Sequence, residues 1–347
     1  MKIVWFLVFF TVSCRFTSDI SKKTIAPIPI KVVVVTMFEN GNDTGDRPGE
    51  FQHWVEKFPL TQTIPFPQGY RDLRYDPNTG VLGMVTGIGS VRATASVMAL
   101  GMDTRFDLSN AFWLIAGVAG VDPEDASIGS TIWAEWVIDG DMAHEIDARE
   151  LPADWSTGYF PLGKHMPYQD SMKPGAHPVF HLDTGLVKWA FRLTGKMSLP
   201  DPESLRKTRE AYIDYPNARK PPQVLMGDEL SSMTFWHGEL LNTWANKWMK
   251  YWTHGQGNFV TSAMEDSGTL QALDFLNNAG KVNSKRVLVL RVASNFTVPP
   301  KGVAPEDNLK LLMENDSVYA HSLENAWLVG RKVVHSLLEN WPQAPRN

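Results

Sequence analysis

Cysteine is almost missing from this 347-residue chain. Cys14 is the only one, and it stands in or beside an apolar N-terminal stretch. Downstream of that stretch there is no thiol for a disulfide, a thiolate metal site or a cysteine nucleophile. Long hydrophobic runs are lacking too. The longest charge-free apolar segment after the N-terminus, AFWLIAGVAGV, falls far short of the about 20 residues that a membrane-spanning helix needs. Charge of one sign does not dominate: 33 Lys and Arg against 38 Asp and Glu leave a net charge of -5, with no basic cluster to hold nucleic-acid phosphates. Neither a G-x-S-x-G elbow, an H-E-x-x-H helix nor a Walker loop occurs. The nine histidines lack ligand spacing, so His144, His177, His181 and His237 read as structural and no metal is expected.

What is present is an ordinary globular composition, 43% hydrophobic and 20% charged. Met1-Lys2 followed by IVWFLVFFTV has the form of a secretory signal. Residues 1–20 are therefore expected to be a leader cut between Ser13 and Ile20, sending the protein to the cell surface or the medium. Acceptor sequons stand at Asn42, Asn295 and Asn315. From 27 to 341 the chain reads as a single α/β domain. Continuous apolar, β-branched runs at 31–36, 81–86, 112–117, 131–138, 224–227 and 287–293 suit strands covered on both faces, hence a mixed, mostly parallel central sheet. Helical patterns lie between them, one after the glycine turn at 87–89, one marked by Leu270, Leu273 and Leu276, and a last one carrying Val318 to Leu337. Trp236, Leu240, Leu241, Trp244, Trp248 and Trp252 form a stripe over 230–252, either core or the interface of a homo-oligomer. The Pro- and Tyr-rich stretch 150–222 reads as an excursion from this domain.

Five places can carry chemistry. The turn Gly87-Ile88-Gly89-Ser90-Val91-Arg92 follows a strand and opens a helix, so its backbone N–H groups, Ser90 and Arg92 suit an anion or a sugar hydroxyl; such turns are also common scaffolding. Gly117-Val118-Ala119-Gly120 permits close approach of a ligand or tight packing. Met264-Glu265 precedes a helix: the carboxylate can accept from two vicinal hydroxyls while Met264 offers a soft surface to a sugar ring, the plain alternative being a first-turn acid beside the cap residues Asp266 and Ser267. Strand 287–293 delivers Ser294-Asn295 to the carboxyl edge of the sheet, where an amide can pair with the N7 and 6-oxo edge of a purine or simply form a turn. After the first strand, Glu39 is placed to activate water or fix a hydroxyl, unless it is a solvated loop acid.

Taken in order, VVVVTMFE, VTGIGSVRATAS, WLIAGVAGVDPEDASIGSTIWAEWVIDGD, LMGDELSSMTFWHG, NFVTSAMEDSGTLQAL and VLVLRVASNF resemble the nucleoside phosphorylase superfamily, and within it the purine nucleoside permeases. The resemblance runs from about Ile30 to the C-terminal helix. It implies a mixed sheet wrapped by helices and cleavage of the bond between a purine and its ribose, with a small-molecule purine nucleoside as ligand and inorganic phosphate or water as co-substrate. No organic cofactor is implied. Met264 and Glu265 would take the ribose, and Asn295 the base. Gly89, Ser90 and Arg92 would lie at the phosphate or water position, and Gly227-Asp228, Phe235 and Trp236 would line the base pocket. Asn295 stands where many members carry Asp, which favours a 6-oxopurine. The alternative is a non-catalytic nucleoside-binding component of uptake.

Overall fold

The structure is a computed structural model that describes residues 26–169, 179–314 and 316–345. The proposed leader with Cys14, His177 and the sequon at Asn315 lie outside the described residues. Val32–Thr36 is buried along its whole length and pairs in parallel with Val81–Val85 on one side and with Phe112–Val121 on the other. Phe112–Val121 pairs in parallel with Val287–Phe296, so the most apolar segments form the middle of the sheet, where both faces are covered. Antiparallel strands finish the margins: Leu73–Asp76 with Gln62–Ile64 at one edge, and Val179–His181 against Trp136–Asp139 at the other. Among the described residues this mixed sheet has twelve strands, flanked by helices as the sequence patterns lead one to expect.

The sheet forks at the carboxyl end of Phe112–Val121. There Ser262 of the strand Phe259–Ala263 pairs with Gly120 on one side while Asn295 pairs with the same residue on the other, after an irregularity between Ala293 and Asn295. One branch continues through Asp228–Ser231 to Trp136–Asp139, the other through Thr131–Ala134 to Val224–Met226. The run 131–138 is therefore two strands rather than one. It breaks at Glu135 because the backbone N–H groups of Glu135 and Trp136 turn to the Asp228 carboxylate, and the chain changes partners.

Two helices bring their N-termini together above this fork. Ser90–Gly101 and Asp266–Asn278 lie so close that a Cβ at Gly268 would overlap the Ser90 carbonyl and one at Gly101 would overlap Leu276. The buried face of the first helix is Ala93, Val97 and Leu100, and Val91 points outward. Asp316–Asn340 packs on the opposite side of the central strands. The tryptophan stripe is only partly helical: the helix runs Glu239–Trp252, opened by Gly238 at φ 121, so Trp236 precedes it and Leu240 is 82% exposed. Trp236, Trp244 and Trp248 nevertheless share one core cluster with Ile138, Leu230 and Phe259.

At Gly117 the alternatives of ligand approach and tight packing resolve into packing. A Cβ there would overlap Met37 Cε, Glu50 Oε1 and Arg291 Nη1, all buried. Gly117→Ala is expected to lower stability by about 1–3 kcal/mol through overpacking, read as a lower denaturant midpoint. An unchanged midpoint would mean that these side chains yield without cost.

Candidate functional site

Arg291 lies in the middle of the strand Val287–Phe296 and is 1% exposed. A guanidinium so placed must be paired. Its Nε and Nη2 donate to Asp266 Oδ2 at 2.8 and 2.6 Å, Nη2 reaches Glu265 Oε2 at 3.3 Å, Nη1 donates to the Val118 carbonyl at 3.1 Å, and Glu229 Oε2 lies 3.5 Å from Nε. Glu50 also abuts this cluster, because its Oε1 and the Arg291 Nη1 both border the space that a Cβ on Gly117 would fill. Four carboxyls thus share one guanidinium, and they are not all ionised. Burial pushes Glu229 well above the usual carboxylate range, with the adjoining Asp266 raising it further. Burial likewise raises Glu265, against the attraction of Arg291. Glu50 is pushed up to about 8 by burial, an effect that Arg291 opposes and Glu265 reinforces.

Glu265 sits at the gap between the two helix N-termini. Its Oε1 accepts from the Gly89 N–H at 3.1 Å, and its Oε2 from its neighbour Met264 N–H at 3.2 Å. Gly89 has φ 92, a conformation that aims this N–H into the site and that a side chain would strain. With Arg291 added, three of roughly four acceptor positions on the carboxylate are taken, which leaves about one for a ligand rather than the two expected from sequence. Met264 is half-buried beside it.

Glu50 is held by backbone: the Met37 N–H donates to Oε2 and the Val118 N–H to Oε1, both at 2.8 Å. Val118 also lines a cavity of about 930 Å³ whose wall includes Ser294, Asn295, Phe235 and Tyr319. Asn295 is half-buried. Its Nδ2 donates to the Phe296 carbonyl at 3.2 Å and its Oδ1 accepts from Ser294 Oγ at 3.2 Å, so the amide is oriented in advance. Tyr319 stacks on Phe38 with centroids 5.9 Å apart, and burial together with the nearby Glu50 raises its phenol.

The structure brings some of the residues singled out in the sequence together and separates others. Met264, Glu265 and Gly89 are brought together, and Asn295 and Phe235 share the cavity. Glu39 is placed differently: its carboxylate accepts from the N–H groups of Asn40, Gly49, Phe51 and Gln52, which fastens the loop that carries Glu50. Asp228 lies at the start of its strand, far from the carboxyl edge, where its oxygens accept from the N–H groups of Trp136, Glu135 and Asn258. Trp236 is core and packs against Trp244 and Phe259. Arg92 is exposed and lies over the Tyr70 ring, 5.8 Å from its centroid. Ser90 is half-buried at the helix start, its carbonyl accepting from Thr94. Two residues went unnoticed in the sequence. Arg291 had a signal, a charge inside VLVLRVA, since a both-faces-buried strand tolerates arginine only with partners. Glu50 had none, because it sits in a polar loop that only tertiary packing buries.

A forked mixed sheet with helix N-termini meeting at its carboxyl edge is the architecture of nucleoside phosphorylase-like proteins. Futalosine hydrolase of Helicobacter pylori superposes with a TM-score of 0.54 at 15% identity, covering 88% of this chain and 98% of that one. The 5′-methylthioadenosine/S-adenosyl homocysteine nucleosidase of the same organism gives 0.53 at 14% identity, covering 90% and 99%. At such identities the likeness is one of fold. The family model for purine nucleoside permease (NUP) matches residues 29–345, and the chain belongs to that family. It is 26% identical over 319 residues to a purine nucleoside permease of Candida albicans, covering 90% of this chain and 75% of that protein. A probable purine nucleoside permease of Schizosaccharomyces pombe is 27% identical over 281 residues, covering 78% and 80%. No helix among the described residues is long and apolar enough to cross a membrane.

Removing the guanidinium strands the buried carboxyls, so Arg291→Met is expected to cost about 3–5 kcal/mol in denaturant unfolding. Loss of under 1 kcal/mol would show that the carboxyls are content as neutral acids. The cluster also sets a pH dependence. Unfolded, Glu50 releases its proton near its ordinary value of 4.5, and folded only near 8. The folded state holds the extra proton between those values, so its stability is greatest below that window and falls as pH rises through it. Glu229 and Glu265, also raised, act in the same direction. Unfolding midpoints measured from pH 5 to 8.5 check the slope, and a rise with pH would contradict it.

Proposed function

We propose that the protein binds purine nucleosides in this cavity and hydrolyses the bond between base and ribose. The observation that carries the reading is Glu50, a buried carboxyl with a proton affinity near neutrality, fixed to the Val118 amide in the wall of the cavity that also presents Asn295, and set beside Glu265. In this reading Met264 covers the sugar and the open acceptor position of Glu265 takes a ribose hydroxyl. Asn295 pairs with the N7 and 6-position edge of the base. Ionised Glu50 takes a proton from water as its oxygen attacks C1′, the electron pair of the breaking C1′–N bond passes to the purine, whose anion is held by the Asn295 amide and takes its proton from solvent, and Glu50 then returns its own proton to solvent. Positive charge grows on the ribose near the carboxylates and negative charge grows near the Asn295 amide, so both ends favour the transition state over the ground state. The role considered for Glu39 thereby falls to Glu50.

Two of the arginines have little to offer a phosphate, which supports water as the acceptor of the ribose, while Arg47, close enough to act on the Tyr319 phenol, is the cation that the phosphate comparison tests. Arg291 is already enclosed by carboxyls and Arg92 is exposed over Tyr70. The leader-like residues 1–20 support a secreted or cell-surface location. A second reading, non-catalytic nucleoside binding in uptake, draws on the names of the curated relatives.

One assay separates these readings. Purified protein is incubated with inosine, guanosine, adenosine and uridine, with and without phosphate, while free base, ribose and ribose 1-phosphate are followed. Purine release without phosphate is expected. Strict dependence on phosphate would make the reaction phosphorolytic, and calorimetric binding without any release would leave the uptake reading. Glu50→Gln is expected to lower kcat/KM by about 10²–10⁴-fold. The wild-type rate should rise with pH through an apparent pKa of about 8, since the ionised form of Glu50 is the base; a limb unaltered by Glu50→Gln would remove Glu50 from that role.

A further inference from the structure

The cavity is larger than its nucleoside-binding end requires. At about 930 Å³ it lies near the top of the about 300–1,000 Å³ range of small-molecule sites. Its polar machinery is concentrated in one part of the wall, where Val118 and Tyr319 adjoin Glu50 and where Ser294 and Asn295 end their strand. Much of the remaining wall is apolar: Ile128, Tyr212, Phe296, Leu309, Leu312 and Val318. Ile128, Tyr212, Phe296 and Val318 belong to a packed cluster of their own, with the Tyr212 and Phe296 rings tilted at 41° and 3.9 Å apart between centroids, so this part of the wall is built rather than left over.

Two hydroxyls of that region are turned into the protein: Tyr212 donates to the Val298 carbonyl at 2.9 Å and Thr208 to the Ser204 carbonyl at 3.0 Å. Lys207 pairs with Glu203 at 2.8 Å at the exposed surface, and Asn308 is the polar side chain buried in this part of the wall, its Oδ1 without a hydrogen-bond partner. A phosphate placed there would lose its water and meet only the acceptor oxygen of Asn308, whereas an alkyl or aryl group would gain burial against the apolar side chains. The apolar wall adjoins Asn295, since Phe296 is the next residue of the same strand. Against the 6-oxopurine that the resemblance implies, an amide carries both a donor and an acceptor, so at that point it can donate to N7 and accept from the single N–H left on a substituted 6-amino group, the pairing that asparagine makes with adenine.

We propose that the preferred ligands are purine nucleosides carrying a neutral apolar substituent on the base, at the 6-amino position, with the arm between Ile128, Tyr212, Leu309 and Leu312 receiving it. This rests on the nucleoside reading of the site and specifies its substrate class. Specificity would lie in the arm, because each buried methylene adds selectivity while the ribose end is common to all substrates.

N6-benzyladenosine, adenosine and a 5′-benzylthio-5′-deoxyadenosine are compared by kcat/KM, and by calorimetric Kd where turnover is absent. The wild type is expected to favour N6-benzyladenosine over adenosine by about 10-fold or more. Ala211→Trp, which fills the arm from the exposed end of the helix Glu203–Glu210, should erase that preference and leave adenosine unchanged, so adenosine serves as the control for folding. Leu312→Ala should reduce the preference without reversing it. Equal or weaker use of N6-benzyladenosine by the wild type overturns the proposal while plain nucleosides still bind, as does a preference for the 5′-substituted compound. A ratio that persists in both variants overturns the assignment of the arm. Failure of every nucleoside to bind or react overturns the nucleoside reading, and this proposal with it.

Discussion

The structure depends on one buried guanidinium. Arg291 stands in the central strand, reaches Asp266 through two nitrogens and touches Glu265, Glu229 and the Val118 carbonyl. It draws together the strand Val287–Phe296, the start of the helix Asp266–Asn278, the middle of Phe112–Val121 and the strand Asp228–Ser231. An ion pair of this kind adds little net stability compared with a well-packed apolar substitute, yet breaking it is costly because the surviving charges stay buried. It therefore acts as a register lock: any slip of one strand against another leaves a charge alone in a dry interior.

The same lock prepares the site. Four carboxyls around one guanidinium compete for its charge, and the dry surroundings keep protons on those that lose. Glu50 is thereby held as a carboxyl that titrates near 8, while Glu265 stays oriented by Arg291 and by the Gly89 and Met264 amides. Glu39, spent on four backbone N–H groups, fixes the loop that delivers Glu50 and so shapes the cluster from outside it. Gly117 lets the acid and the guanidinium meet by having no side chain.

Much of the fold was legible because burial on both faces imposes a simple code. Val32–Thr36, Val81–Val85 and Val287–Phe296 are continuous apolar runs, and each is a central strand. The glycine turn before Ser90 and the Met-Glu step before Asp266 marked helix starts at the sheet edge, and both hold. Edges were harder. Leu73–Asp76 and Gln62–Ile64 are short and polar on one side, and the break at Glu135 depends on Asp228, 93 residues away in sequence. The site followed the same division. Met264, Glu265 and Asn295 stood beside recognisable structural punctuation, whereas Asp228 and Glu39 had the right type and neighbourhood but spend their oxygens on backbone amides.

The sequence by itself determined the class: a parallel-centred sheet, helices opening at its carboxyl edge, and an ordered set of motifs that places the chain with the purine nucleoside permeases. These follow from local periodicity and chain order, which are present in the linear text. Only the tertiary structure decided which acid is fastened behind the cavity wall at Val118, how many acceptor positions Glu265 has left, and that the cavity extends beyond Asn295 along an apolar wall. Such properties depend on desolvation and on partners brought from distant segments, and neither exists until the chain has closed around Arg291.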